Sequence, residues 1–153
     1  MDPVTTRPLT PAMNAMNSSW FPEILPTTTL ADAPRDLDFL LVPGGAGARS
    51  PYLGAFEDFI AEMVPKVKYF MSVCTGALVA ANAGVLDGKR ATTNKKAWET
   101  VTAPNPQVDW VSHARWVVDG NIWTTSGVSS SVDGMIAFVE CIYGPDVAET
   151  VAK

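Results

Sequence analysis

Cys74 is the residue with the clearest chemical potential in this chain. It sits in Lys68-Tyr-Phe-Met-Ser-Val-Cys-Thr-Gly-Ala-Leu-Val-Ala-Ala-Asn-Ala-Gly84. Tyr69, Phe70, Met71 and Val73 favour a strand, and Ala77, Leu78, Val79, Ala80, Ala81 and Ala83 favour a helix. The backbone must therefore turn sharply between them, with the thiol at the corner. A cysteine there lies beside the unpaired N–H groups of a helix start, whose partial positive charge favours a thiolate and hence a nucleophile. The alternative is a small apolar residue filling a strand end.

The other candidates group around that corner. Gly44-Gly45-Ala46-Gly47 follows a strand but lacks the Lys-Ser/Thr of a phosphate loop and the dinucleotide spacing, so nucleotide binding is disfavoured. Gly44 or Gly45 can instead aim an N–H at whatever Cys74 attacks, together with the N–H of Thr75 and the following Gly76, as an anion-stabilising pocket. The hydroxyl-rich run from Thr124 to Ser131 places Ser126 and Gly127 where they line a pocket, or else Ser129 or Ser130 simply caps a helix. His113, the single histidine, reads as a surface residue on a half-exposed strand, and Cys141, inside an apolar helical run, reads as structural. Two cysteines and one histidine cannot supply a structural zinc site by themselves.

The elements that must position these groups follow from hydrophobic period and punctuation. Residues 1–35 carry six of the prolines and show no sustained period, and residues 1–19 are read as an irregular segment before a single domain, residues 20–153. Phe39-Leu-Leu-Val42, stopped by Pro43-Gly44-Gly45, has the pattern of a strand buried on both faces, which implies a parallel sheet. Phe56, Phe59, Ile60 and Met63 recur at helical spacing up to Pro65. Residues 89–93 predict a short strand and residues 95–101 a short helix. Residues 108–118 and 121–125 flank Asp119-Gly120 as a hairpin. A final helix is expected over 130–143, with Val132, Met135, Ile136 and Val139 on its core face and Gly144-Pro145 closing it.

The chain has 153 residues, 47% of them hydrophobic and 18% charged, with a net charge of -5. That suits one soluble domain and argues against a nucleic-acid surface, whose affinity needs clustered cations. No apolar stretch approaches a membrane span, and residues 1–11 lack the basic start and apolar run of a signal peptide, so a cytoplasmic location is expected.

Taken together, Phe39-Leu-Leu-Val-Pro-Gly-Gly45, Ser72-Val-Cys-Thr-Gly-Ala77, Gly84-Val-Leu-Asp-Gly-Lys-Arg-Ala-Thr-Thr93, Arg115-Trp-Val-Val-Asp-Gly-Asn121 and Thr125-Ser-Gly-Val128 followed by Asp133 resemble the ThiJ/PfpI superfamily, and within it the isonitrile hydratase-like branch. The resemblance covers residues 26–144. It implies an α/β, flavodoxin-like three-layer sandwich with a mostly parallel sheet, a homodimer, a small-molecule substrate, and no metal or organic cofactor. It matches Cys74 to the family nucleophile, whose thiolate adds to an isocyanide carbon before water releases an N-substituted formamide. Three departures stand out. The family's first strand and helix, with the carboxylate that works beside the cysteine, have no recognisable counterpart, so the domain reads as N-terminally truncated. Its activity is then expected to be impaired, unless an acid in residues 20–23 takes over. Thr75 stands where the protease-like branch has histidine, which disfavours proteolysis and glutamine amidotransfer. Ser130, Ser131 and Gly134 alter the last loop and helix start. Loss of a first strand would leave Phe39–Val42 as a sticky edge. The competing readings are a ligand-sensing or scaffold domain and a thiol redox or glyoxalase-like stress protein.

Overall fold

A hydrophobic strand with both faces covered and both edges paired ends up at the centre of a sheet, and β2 (Tyr69–Val73) is that strand here. The structure, a computed structural model, describes residues 26–153; the irregular segment expected over residues 1–19 and the candidate acid in residues 20–23 lie outside the described residues. In chain order, β1 (Phe39–Val42) leads through a short 3-10 turn (Ala46–Arg49) to α1 (Gly54–Met63), β2, α2 (Gly76–Asn82) and β3 (Arg90–Ala91). Then follow α3 (Trp98–Thr102), β4 (Asp109–Trp110), β5 (Trp116–Asp119), β6 (Ile122–Thr125), α4 (Val128–Tyr143) and α5 (Pro145–Ala152).

The main sheet has the order β1-β2-β6-β5. β1 and β6 flank β2 in parallel, and β5 joins β6 antiparallel through the turn at Asp119-Gly120. Alternation along the strands divides the core in two. Leu40, Val42, Phe70 and Ile122 face α1 and α2, whereas Phe39, Tyr69, Met71 and Trp123 face α4. Helices therefore cover both faces of a mostly parallel sheet, as the flavodoxin-like expectation requires. On one side Ile60 and Met63 of α1 are buried, and α2 is buried from Gly76 through Ala81 because its small side chains permit close packing. On the other, Phe138 anchors α4, with ring centroids 5.0 Å from Phe39 and 5.3 Å from both Tyr69 and Trp123. No helix among the described residues is long and apolar enough to cross a membrane.

Several local expectations are corrected. β1 is not buried on both faces, since Leu41 is 39% exposed; its place at a sheet edge among the described residues is the one expected for it. Residues 108–118 do not form one strand. They split into β4, which pairs in parallel with β3 in a separate two-stranded sheet, and β5 of the main sheet. His113 therefore lies in an exposed turn between them rather than on a strand. The expected helix over 95–101 is confined to Trp98–Thr102. α4 starts at Val128, and Gly144 ends it, but Pro145 opens α5 instead of stopping helical structure, as a proline at the first helical position can.

The largest correction concerns which side of α4 meets the sheet. The buried residues are Ser130, Gly134 and Phe138; of the expected face Met135 packs against that cluster, whereas Val132 is 59% exposed. A Cβ on Gly134 would lie 2.8 Å from Thr125 Cγ2 and 3.4 Å from Trp116 Cβ. The missing side chain lets the helix backbone come down onto β5 and β6, and the Phe138 aromatic cluster fixes the rotation that results. Cys141 is carried to an exposed position, so it is not a core residue.

Candidate active site

Parallel strands end together, so the loops that follow β1, β2 and β6 converge at one rim of the sheet. At that rim Cys74 has φ 56, and no other non-glycine residue among those described has a positive φ. A left-handed conformation costs an L-residue about 1–2 kcal/mol. It is the form the sharp strand-to-helix turn demands, and the surroundings hold it. The Cys74 N–H donates to the Thr125 carbonyl at 3.0 Å, and the Thr93 hydroxyl donates to the Cys74 carbonyl at 3.0 Å. The thiol is half-buried.

Two glycines make the turn possible by what they lack. A Cβ on Gly44 would stand 2.6 Å from the Val73 carbonyl oxygen, 2.7 Å from Cys74 Cβ and 2.8 Å from Thr75 N. One on Gly76 would stand 2.5 Å from the Val42 carbonyl oxygen. The loop after β1 and the corner after β2 thus touch backbone to backbone. Thr75 locks them: its hydroxyl accepts from the Gly45 N–H at 2.9 Å and donates to the Gly45 carbonyl at 3.0 Å. This corrects one expectation. The Gly45 N–H is committed to Thr75 Oγ1 and is not free to stabilise an anion, so of the two expected glycine donors Gly44 is the one that remains a candidate.

Ser126 and Gly127 arrive at the same rim because β6 runs parallel to β2 in the register Val73 to Thr125. Ser126 is buried, and its N–H donates to the Arg115 carbonyl at 2.8 Å. Neither Ser129 nor Ser130 caps α4: the cap residue is Gly127, with no side-chain cap bond. Instead the Ser131 hydroxyl donates to the Gly127 carbonyl at 2.6 Å and pairs with Thr125 Oγ1 at 2.6 Å, stitching the helix start to the strand end.

Three features of the rim escaped the sequence. Thr93 supports the Cys74 carbonyl; the adjacent threonines at the end of a short strand were the available signal. Arg115 Nε donates to Asp133 Oδ2 at 3.0 Å beside Ser126. Lys95 Nζ donates to Thr92 Oγ1 at 2.6 Å and lies 4.7 Å from the centre of the Trp98 ring. Desolvation holds the Lys95 pKa below the ordinary lysine value. His113 pairs its Nδ1 with Ser112 Oγ at 2.9 Å, in keeping with a surface residue. Among the described residues no group of three His, Cys, Asp or Glu side chains could hold a metal ion. Among the described residues, a cavity of about 490 Å³ lined by Leu40, Leu53, Phe56, Phe59 and Ile60 lies between β1 and α1. It reaches the rim at Pro43 and Gly44 but does not include Cys74.

The profile of the DJ-1/PfpI family matches residues 11–141. The chain is 37% identical over 133 residues to an isonitrile hydratase from Pseudomonas putida, covering 84% of this chain and 55% of that protein. It is 34% identical over 79 residues to the HTH-type transcriptional regulator CdhR of Pseudomonas aeruginosa, covering 52% of this chain and 23% of the regulator. The crystal structure of a ThiJ/PfpI family protein from Pseudomonas syringae superposes with a TM-score of 0.68 at 32% identity, covering 83% of this chain and 52% of that one. The chain thus spans about half the length of the hydratase and of the solved structure.

Proposed function

The chain belongs to the DJ-1/PfpI family, and from that premise we propose that it is a cysteine-dependent enzyme that hydrates an isocyanide to an N-substituted formamide. The observation that carries this reading is the Cys74 corner itself: a half-buried thiol held at φ 56 on a rim of small backbone groups, in a chain 37% identical to an isonitrile hydratase. Strain of this kind is retained where the surrounding structure over-determines it, which is typical of functional positions.

In the proposed reaction the Cys74 sulfur forms a bond to the terminal isocyanide carbon, and the thiol proton passes to that same carbon, giving a thioformimidate. Water adds across the C=N bond, its oxygen to this carbon and one of its protons to the nitrogen. The C–S bond then breaks as the carbonyl forms, the remaining hydroxyl proton passes to sulfur, and the N-substituted formamide leaves. Negative charge developing during addition would be met by the N–H groups of Gly44, Thr75 and Gly76, with Ser126 and Gly127 forming the facing wall. No organic cofactor or metal enters this balance.

Formamide release from a small alkyl isocyanide, followed by NMR, tests the proposal, with Cys74→Ala as the control. Product from the native chain and none from the variant is the expected result. Saturable isocyanide binding without product would replace it with a ligand-sensing reading, for which the similarity to a transcriptional regulator is the supporting observation.

A further inference from the structure

The peptide groups of Cys74 are held from two sides. Its carbonyl accepts from the Thr93 hydroxyl and its N–H donates to the Thr125 carbonyl, each at 3.0 Å. One residue beyond Thr93 and two beyond Thr125 the same two segments meet again: a Cβ on Gly127 would lie 3.9 Å from Asn94 Nδ2. The direction of that amide is set. Asn94 Oδ1 accepts the Ala97 N–H at 3.0 Å, which assigns the oxygen to the turn before α3 and the nitrogen to the Gly127 side. The other polar groups of this wall are spent: the Ser126 N–H on the Arg115 carbonyl, the Ser131 hydroxyl on the Gly127 carbonyl, and Lys95 Nζ on Thr92 Oγ1. Asn94 Nδ2, on a half-buried side chain, donates to no group among the described residues. A donor fixed in direction and left without an acceptor is suited to a ligand oxygen.

We propose that Asn94 Nδ2 binds the oxygen of a group carried on the Cys74 sulfur, so that the site recognises small ligands whose oxygen lies one or two carbons from that sulfur. Its part in turnover rests on the hydration proposed above. There the oxygen of water becomes the hydroxyl of an S–CH(OH)–NH–R adduct. As the hydroxyl proton passes to sulfur and the C–S bond breaks, negative charge gathers on this oxygen, and a hydrogen bond from Nδ2 stabilises it there and in the formamide carbonyl that forms. A simple alkyl isocyanide offers Nδ2 no oxygen. Asn94 therefore acts after the sulfur has added, whereas the N–H groups of Gly44, Thr75 and Gly76 serve the addition itself. Oxygen recognition as such needs only the Cys74 thiol and is testable without an isocyanide.

Alkylation read at the Cys74 peptide with two small reagents tests it, since iodoacetamide carries a carbonyl oxygen and allyl bromide carries none. Asn94→Ser keeps an oxygen for the Ala97 N–H but is too short to reach the rim, and Asn94→Asp keeps the shape while replacing the donor with an acceptor. In both variants the iodoacetamide rate relative to the allyl bromide rate should fall by about tenfold, the effect of one lost hydrogen bond. The ratio cancels changes in thiol ionisation and access, which are what a merely structural role would alter. A native ratio in either folded variant would overturn the proposal. If the native chain hydrates an isocyanide, Asn94→Ser should lower kcat by at least that factor and let the isocyanide adduct of Cys74 accumulate, visible in the intact mass; an unchanged kcat would overturn the part in turnover. A fallen ratio in a chain that hydrates no isocyanide would uphold the oxygen site and remove the hydratase reading alone.

Discussion

The Thr93 hydroxyl donates a 3.0 Å hydrogen bond to the carbonyl oxygen of Cys74, tying the end of the β3 segment to the strained corner after β2. Thr93 is fully buried, so the bond is made out of reach of water. Thr93→Val keeps the shape and removes the donor. It should cost about 1–3 kcal/mol of stability, the usual penalty for a buried acceptor left unpaired. The variant should also slow alkylation of Cys74 in the folded protein by about tenfold, equivalent to roughly 1.4 kcal/mol in the barrier. Thr93→Ser should recover the alkylation rate. Thermal unfolding and labelling rates read the two effects separately, and unchanged labelling in folded Thr93→Val would remove Thr93 from the site.

Cys74 should be less favourable to the fold than glycine at the same position. A left-handed residue with a side chain carries a local cost that glycine escapes, offset in part by glycine's greater freedom in the unfolded chain. Cys74→Gly is therefore expected to be about 0.5–1 kcal/mol more stable than Cys74→Ala in denaturant titrations, while neither turns over an isocyanide. Equal stability would mean that the corner is relaxed.

Gly44→Ala should damage the site and Gly47→Ala should not. At Gly44 the new methyl meets backbone atoms of Val73 and Thr75 and the Cβ of Cys74, none of which can rotate away. At Gly47 it meets nothing. The first is expected to lose about 1–3 kcal/mol and Cys74 reactivity, and the second to match the native chain. Melting curves and labelling of the pair provide the measurement.

Both cysteines should label, at different rates. Cys141 is exposed and should behave as an ordinary surface thiol, whereas Cys74, half-buried beside the N–H groups of Thr75 and Gly76, should react faster with a small reagent near neutral pH. Mass spectrometry after brief iodoacetamide treatment across pH distinguishes them. Cys141 labelling first would refute the reading of Cys74 as the nucleophile.

Lys95 gives a pH signature. Its folded pKa lies below the ordinary 10.5 because burial disfavours the ammonium, so folding is penalised while the unfolded chain holds the extra proton. The penalty is present below the lowered folded value and is relieved as pH rises from there through 10.5. Native stability relative to Lys95→Met should therefore climb across that interval. A flat difference would contradict it.

Some of this protein is determined by residues that interact along the chain. The Phe39–Val42 run, the Phe56 to Met63 spacing and the switch from β-branched and aromatic residues to alanines at Cys74 each encode an element through local propensity and period. Together they are enough to place a thiol at a strand-to-helix corner with glycines nearby. What depended on the tertiary structure is which of several equivalent local choices is used. α4 has two apolar faces of similar strength, and its period cannot say which meets the sheet; the close approach allowed by Gly134 and the ring cluster at Phe138 decide it and turn Val132 outward. Likewise the glycine loop offers two N–H donors in sequence. Only the contact across 30 residues between Gly45 and Thr75 shows that one of them is consumed, because hydrogen-bond partners are chosen by proximity in space.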